Sequence, residues 1–273
     1  MLEHILVAAD FSPAWPRLQA QVHRLRVLGC RAVTLVHVMP TGYARAPGVG
    51  HRAHYEAQLQ QATATLRPLG LTVDTEVRVG AVAQELLSAA RAHGCGVIMV
   101  GTRGHSTLRD LLLGSTVLDL ARLTDRPLLL APTDADAHLP PEPVCRPLLA
   151  TDASLAAAAA EAAFLHLAPQ CSRGMVVSVG RWDEREEKGE RLRVEQHLAA
   201  LGRRAGAPGF DIRLPGQGRP AAEIARAAEE SGADIVIVGK RGANPMKELL
   251  LGSTAEEVCR TARRLVLLVP GGA

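Results

Sequence analysis

Short runs of Val, Ile and Leu recur along the first half of the chain, and longer stretches with helical periodicity separate them. The runs are Ile5–Ala9, Val33–Val38, a weaker one at Leu71–Val77, Val97–Val100 and Leu128–Ala131. Each run is nearly continuous rather than alternating, which is typical of strands covered on both faces in a parallel sheet. The alternation of such strands with helices predicts a doubly wound α/β fold.

Helix start and stop signals flank these strands. Ser12 is a candidate N-cap with Pro13 at the first helical position, and Ser154 opens a matching segment in the second half. The helical segments that begin at Ala81 and Pro220 both end on glycine, a common C-terminal stop. We therefore expect a helix between consecutive strands.

Two stretches lack a clear apolar stripe. Thr41–His54 has no strong period and predicts a mobile loop after the second strand, followed by a largely polar helix over Tyr55–Leu66. The corresponding stretch of the second half, Arg181–Gly206, is highly charged. We expect the charged positions of both stretches to face solvent.

The chain repeats itself. "GVIMVGTRG" at Gly96–Gly104 matches "DIVIVGKRG" at Asp234–Gly242, and "LLLGST" occurs at both Leu111–Thr116 and Leu249–Thr254. The period is far too long for a solenoid, in which units of ~20–45 residues stack. One domain is therefore duplicated.

The spacing of the repeats and a linker divide the chain. Asp10 and Asp152 lie 142 positions apart, whereas Gly101 and Gly239 lie 138 apart, so the second copy is about four residues shorter in its middle. The stretch Pro132–Pro147 is rich in Pro and acidic residues and is typical of a stiff linker. We predict a first domain over residues 1–133, a linker over 134–146 and a second domain over 147–273.

Composition and charge exclude several classes of function. The net charge of +3 and an aromatic content of 3% give no basis for nucleic-acid binding. Five scattered cysteines without a CxxC pair indicate reduced thiols rather than disulfides or zinc: Cys30, Cys95, Cys145, Cys171 and Cys259. The N-terminus lacks the pattern of a signal peptide, and no apolar run is long enough to span a membrane, so we expect a cytoplasmic protein.

The repeated glycine motif has the chemistry of a phosphate-binding loop. Gly101-x2-Gly104-x9-Gly114-Ser115 follows a predicted strand and opens a predicted helix. The carboxyl edge of an open α/β sheet is where ligands bind, glycine allows close approach of the backbone, and a helix N-terminus favours a phosphate. Arg103, its counterpart Arg241, and Lys240 could add positive charge.

Other interpretations of the motif stay open. Glycine at strand ends and serine at N-caps also occur as ordinary turn chemistry, although two matches at the same place in two repeats do not arise by chance. The absence of a Gly-Lys-Ser/Thr sequence argues against a P-loop NTPase. No Ser-His-Asp triad can be assembled from the spacing, and we identify no residue that activates water.

An aspartate follows the first strand of each half. Asp10 and Asp152 precede Ser12 and Ser154 and lie at the predicted carboxyl edge of the sheet. Such an acid could contact the ribose or base of a nucleotide, or it could cap a turn.

Taken together, these motifs resemble the universal stress protein family. The aspartate after the first strand, His37-Val38 at the end of the second and G-x2-G-x9-G-[ST] after the fourth carry the resemblance, which covers nearly all of both halves. The glycine motif is similar to that of the ATP-binding branch. The resemblance implies two five-stranded parallel sheets of the adenine nucleotide alpha hydrolase-like fold, order 3-2-1-4-5, each with ATP across its carboxyl edge and with Mg²⁺ or Mn²⁺ bridging the phosphates.

The resemblance also implies a set of ATP-binding residues. In the first half the adenine and ribose end would be lined by Ala9, Asp10 and Val38, and the phosphates and ribose would be held by Gly101, Gly104, Gly114, Ser115, Thr116 and Val117. The second-half positions are Thr151, Asp152, Val179, Gly239, Gly242, Gly252, Ser253, Thr254 and Ala255. Gly180 stands where the first half has Met39, so we expect a different base pocket there and a better site in the first half.

Family members usually pair through their last strands, which would here be an intramolecular pairing of Leu128–Ala131 with Leu265–Val269 and leaves a homodimer open. The leading hypothesis is a protein that binds ATP and acts as a stress-response regulator or sensor. The alternatives are a slow ATP hydrolase or nucleotidyl-transfer enzyme on the same fold, and a nucleotide-free dimerisation scaffold.

Overall fold

The structure is a computed structural model that describes residues 1–41, 49–102, 114–133, 146–171, 173–182, 188–206, 210–242 and 251–271. Arg103, Gly104, residues 42–48 of the expected loop, Cys145 and nearly all of the expected linker lie outside the described residues. The chain divides into two compact units, Met1–Ala137 and His138–Ala273.

The first unit is built on a parallel sheet. Its strands are β1 (His4–Ala8), β2 (Ala32–Met39), β3 (Thr72–Val79), β4 (Val97–Gly101) and β5 (Leu128–Ala131). β1 pairs with β2 and β4, β2 also pairs with β3, and β4 also pairs with β5. The order is therefore β3-β2-β1-β4-β5, and it reverses direction between β1 and β4.

The second unit repeats this pairing. Its strands are β6 (Pro147–Ala150), β7 (Gly174–Val177), β8 (Phe210–Arg213), β9 (Ile235–Gly239) and β10 (Leu265–Val269). All pairs are parallel and give the order β8-β7-β6-β9-β10. The α/β class and the duplication expected from the sequence are confirmed.

Helices connect successive strands in both units. They are α1 (Trp15–Val22), α2 (Val49–Leu66), α3 (Val82–Ala92), α4 (Ser115–Leu123), α5 (Ala158–Leu167), α6 (Lys188–Ala205), α7 (Pro220–Glu230) and α8 (Ser253–Thr261). The continuous apolar runs form buried strands. Every residue of β9 and β10, for example, is buried. The weaker run corresponds to β3, which is largely exposed on one face.

The expected boundary between loop and helix before Tyr55 is wrong. α2 begins at Val49, so residues 49–54 are helical rather than part of a loop. His51, Arg52 and His54 are all exposed, and such polar residues form no apolar stripe by which a helical period could be recognised. The Arg52–Glu56 ion pair at 2.9 Å lies on this turn at the i,i+4 spacing that supports a helix.

The two serines expected to cap helices do not act as N-caps of α1 and α5. Ser12 is buried and its Oγ accepts a hydrogen bond from the N–H of Ala14 at 3.2 Å, but α1 begins only at Trp15. Ser154 precedes a 3₁₀ turn and makes no side-chain cap bond. In both units a tight turn follows the aspartate, so the helix begins several residues after the serine.

Candidate functional site

A cleft of about 540 Å³ opens at the carboxyl edge of the second sheet. All the second-half residues expected to hold a nucleotide line it: Thr151, Asp152, Val179, Gly239, Gly242, Gly252, Ser253, Thr254 and Ala255. The expected cation Arg241 lines it too, whereas Lys240 is buried and does not appear on its wall. Residues from four parts of the sequence are therefore brought together around one space.

The aspartate at the end of each first strand builds a tight turn. Oδ1 of Asp10 accepts the N–H of Ser12 at 3.1 Å, and Oδ1 of Asp152 accepts the N–H of Ser154 at 3.0 Å. The residue between them adopts a left-handed conformation in both units. Such conformations are costly for non-glycine residues and recur at functional sites. In both units the aspartate therefore stabilises the turn through its Oδ1 atom.

The other oxygen of Asp152 lies against the glycine loop. A Cβ atom added at Gly242 would stand 2.6 Å from Oδ2 of Asp152, which is closer than side chains pack. Gly239 has a similar restriction, because its Cβ would lie 3.0 Å from the carbonyl oxygen of Arg241. The second-half motif therefore needs glycine at these positions to bring the loop beside the end of β6.

Gly252 connects the glycine loop to a helix N-terminus. Its N–H donates to the carbonyl oxygen of Lys240 at 3.0 Å, and α8 begins at the next residue, Ser253. Ser253 is exposed, while Ala255 is buried beneath it. The unpaired N–H groups of the first helical turn are thus presented at the cleft, where they favour an anion.

Part of the cleft wall is apolar. Its wall includes Ala150, Val177, Ile224 and Pro220 in addition to Val179. The motif search missed Ile224 and Pro220, which come from α7 and have no sequence signal other than the apolar face of that helix. A cleft lined both by apolar side chains and by a helix N-terminus suits a ligand with an apolar part and an anionic part.

In the first unit the described candidate residues stand at equivalent places in the fold. Ala9 and Asp10 follow β1, Val38 lies in β2, Gly101 ends β4, and Gly114 precedes α4. Ser115, Thr116 and Val117 form the first turn of α4. Because β1 pairs with both β2 and β4, these ends meet at one edge of the sheet. Arg103 and Gly104 lie outside the described residues.

Gly180, which replaces Met39, makes room for an aromatic ring. A Cβ at Gly180 would lie 2.4 Å from the indole of Trp182, which is 6% exposed. The indole therefore fills space that a methionine side chain would need, and the end of the second strand is packed differently in the two units.

The chain thus consists of tandem doubly wound α/β units, with a cleft at the carboxyl edge of the second sheet. The family model for the universal stress protein family matches residues 1–132 and 143–270. The chain belongs to this family and contains its domain twice.

Individual relatives agree with this assignment. A universal stress protein of Mycolicibacterium smegmatis is 28% identical, over 96% of this chain and 92% of that protein. Universal stress protein MJ0577 of Methanocaldococcus jannaschii is 44% identical over 52 residues, which span 19% of this chain and 32% of that protein. The crystal structure of a universal stress protein from Archaeoglobus fulgidus has the same fold, with a TM-score of 0.76 at 19% identity over 98% of this chain and 96% of that one. No helix in the described parts of the chain is long and apolar enough to cross a membrane.

Proposed function

We propose that the protein binds ATP and acts as a nucleotide-dependent stress-response regulator. The observation that carries the proposal is the common cleft, which is lined by every second-half residue expected from the motif. Its volume of about 540 Å³ falls within the range of about 300–1,000 Å³ that small-molecule sites occupy.

The shape and polarity of the cleft support a nucleotide. The phosphates would lie at the start of α8, where Ser253, Thr254 and the N–H groups of the first turn can donate hydrogen bonds. Arg241 would add a positive charge at this end. The base would lie against the apolar wall that includes Val177 and Val179. A divalent cation such as Mg²⁺ or Mn²⁺, held near the hydroxyls of Ser253 and Thr254, would offset the negative charge of the phosphates.

The cleft favours binding over turnover. Among its described lining residues Asp152 is the single acid, and its Oδ1 is engaged by the N–H of Ser154. A hydrolase needs a group positioned to activate water. We therefore propose a binder whose effect depends on occupancy, and slow hydrolysis would be recognised by nucleoside diphosphate that accumulates over many turnovers.

Gly242→Ala tests the site in the intact chain. The added Cβ must displace Oδ2 of Asp152, so we expect ATP binding at the second unit to weaken at least about tenfold, or about 1.4 kcal/mol. Calorimetry with the stoichiometry per chain, supported by mass spectrometry of copurified nucleotide, would measure this.

The matched control is Gly202→Ala. Gly202 lies in α6 with open space where a Cβ would stand, so this variant should bind like the unchanged protein. Failure of the unchanged protein to bind ATP at millimolar concentration would refute the proposed function and leave a nucleotide-free scaffold. Equal affinities of the two variants would refute the assignment of the site.

A further inference from the structure

A chain of hydrogen bonds runs from the surface of the second unit to the wall of its cleft. Nε2 of His197 in α6 lies 2.9 Å from both carboxylate oxygens of Glu161 in α5. Oε1 of Glu161 accepts the hydroxyl of Thr151 at 2.7 Å. The hydroxyl oxygen in turn accepts the N–H of Ala153 at 3.0 Å. Thr151 is one of the residues that line the cleft.

Glu161 is a buried acid with defined partners. It is 6% exposed, whereas the side chain of His197 is 38% exposed. Burying a carboxylate is expensive unless hydrogen bonds compensate it, and here Thr151 and His197 supply them. The Thr151 hydroxyl donates its proton to Glu161. The lone pairs of the hydroxyl oxygen are therefore directed towards the turn, where they accept the N–H of Ala153.

That N–H belongs to the residue with the least favourable backbone conformation of the turn. Ala153 has φ of 56°, and an alanine gains nothing from its own side chain in this conformation. Its position decides where the preceding residue, Asp152, points, and Oδ2 of Asp152 contacts the glycine loop at Gly242. The hydrogen-bonded chain therefore acts on the shape of the cleft through one backbone turn.

The first unit maintains the same turn by other means. Its left-handed residue is Phe11, with φ of 52°, whose ring lies 5.5 Å from Trp15, 5.3 Å from His37 and 6.1 Å from Tyr55 between centroids. Ala153 has no ring to anchor it in this way.

The Thr151–Glu161 pair of the second unit is not repeated at the matching positions of the first. At the spacing of 142 positions, Thr151 corresponds to Ala9 and Glu161 to Gln19. Ala9 has no hydroxyl, and Nε2 of Gln19 donates instead to the carbonyl oxygen of Ala62 and to Thr65. Aromatic packing in one unit is thus replaced by hydrogen bonding in the other.

We propose that Glu161 is a positioning residue of the second nucleotide site: held by His197, it acts through Thr151 to keep the Asp152–Ala153 turn in the shape that binds nucleotide. This proposal rests on the proposed function, and it makes the two sites of the chain unequal, since only the second depends on a buried carboxylate.

The test compares four single variants of the full chain and the double variant Glu161→Met/Thr151→Val. Glu161→Met removes the acceptor, Thr151→Val removes the hydroxyl at constant shape, and Glu161→Gln keeps an oxygen that can accept from Thr151. Gln19→Met is the matched change in the first unit. Binding of ATP at the second unit is followed by the NMR signals of the Gly239 and Gly252 amides, so that each affinity refers to that site.

We expect Glu161→Met and Thr151→Val each to weaken ATP binding at the second unit about tenfold, which corresponds to about 1.4 kcal/mol. The double variant should be no more than about threefold weaker than either single variant, because both remove the same interaction. Glu161→Gln and Gln19→Met should bind within about twofold of the unchanged protein. A loss in Glu161→Gln equal to that in Glu161→Met would overturn the positioning role.

A measurement without nucleotide separates this proposal from the proposed function. Hydrogen exchange of the Ala153 amide should be at least about tenfold faster in Glu161→Met and Thr151→Val than in the unchanged protein or in Glu161→Gln. An Ala153 amide that stays protected in both variants would refute the proposal even if ATP binds. If ATP does not bind the unchanged protein, the proposed function fails, and with it the link to binding, while the exchange rates still decide whether Glu161 holds the turn.

Discussion

At the scale of single residues, the two units reach the same backbone turn with different side chains. Asp10 and Asp152 accept the N–H two residues ahead in equivalent geometry, whereas the left-handed residues Phe11 and Ala153 are stabilised by different neighbours. The glycine motif could be recognised from spacing because glycine has a conformational and steric role that no other residue replaces. The partners of Ala153 could not be recognised, because a lone Thr, Glu or His in a sequence has many more common roles.

The cysteine thiols provide a prediction at this scale. Burial raises the pKa of Cys30 and of Cys259 to about 12 and also raises the pKa of Cys95, while Cys171 is buried. Because the thiolate is the reactive form, we expect these four thiols to be inert towards a disulfide reagent at pH 8 until the protein unfolds.

The measurement uses Cys145→Ser, which leaves those four as the remaining thiols of the chain. The native variant should show no fast-reacting thiol, and denaturant should expose all four. The folded-state pKa of Cys30 and Cys259 lies above the unfolded value of 9.0, so the folded state retains these protons as the pH rises. Their contribution to the free energy of unfolding should therefore be lost progressively above about pH 9. Rapid labelling of the native variant would contradict the assignment of these thiols as buried and protonated.

At the scale of elements, the same connection recurs in both units. α3 and α7 are followed by glycines in the left-handed conformation, Gly94 with φ of 64° and Gly232 with φ of 62°, as the stop signals indicated. The start of α2 was not predictable in the same way, because His51, Arg52 and His54 are exposed polar residues that form no apolar stripe. A helix end that depends on a glycine in the left-handed conformation could thus be predicted from the sequence. A helix start that consists of exposed polar residues could not.

In each unit an arginine before the last strand donates to carbonyl oxygens at the end of, or just after, an earlier helix, which is α3 in the first unit and α7 in the second. Nη1 of Arg126 donates to the carbonyl oxygen of Cys95 at 2.7 Å and to that of Ala90 at 3.1 Å. Nη1 of Arg264 donates to the carbonyl oxygen of Ala233 at 2.6 Å. Replacing either arginine by methionine leaves these partly buried oxygens without their charged donor. We expect a loss of about 1.5–3 kcal/mol in the free energy of unfolding for each change.

Denaturant unfolding of the two variants would measure this loss. Arg52→Met is the control, since its ion pair with Glu56 is more than half exposed on both sides and should contribute under about 0.5 kcal/mol. A loss in Arg126→Met or Arg264→Met no greater than that of the control would show that the carbonyl contacts contribute little.

At the scale of the whole molecule, duplication is the main feature. The family model matches both halves, and each unit has its own parallel sheet and its own core. The pairing of the two last strands stays a prediction that rests on the resemblance. It has a physical rationale, because a strand at the edge of a sheet exposes unpaired N–H and C=O groups.

Hydrogen exchange of the intact protein tests this pairing. In a parallel sheet alternate amides of a strand point to opposite neighbours, so an unpaired edge strand should show alternating fast and slow exchange. If the prediction is correct, every interior amide of β5 and β10 should be protected. Alternating exchange in both strands would refute the pairing, and β3 serves as an internal reference because its one described partner strand is β2.

Local patterning was sufficient to predict the α/β class and the duplication, and the resemblance to the family supplied the residues that line the second cleft. A continuous apolar run indicates a strand that is buried on both faces, and the glycine spacing indicates where the loop must approach the end of a neighbouring strand. Both signals lie within a short stretch of sequence. Contacts between distant positions were decided only when the chain folded. Glu161 reaches Thr151 and His197, and Trp182 covers Gly180, because α5, α6 and the end of β7 pack at one side of the sheet. No periodicity or motif in the sequence predicts such contacts, since they depend on which side chains the packing brings within hydrogen-bond distance.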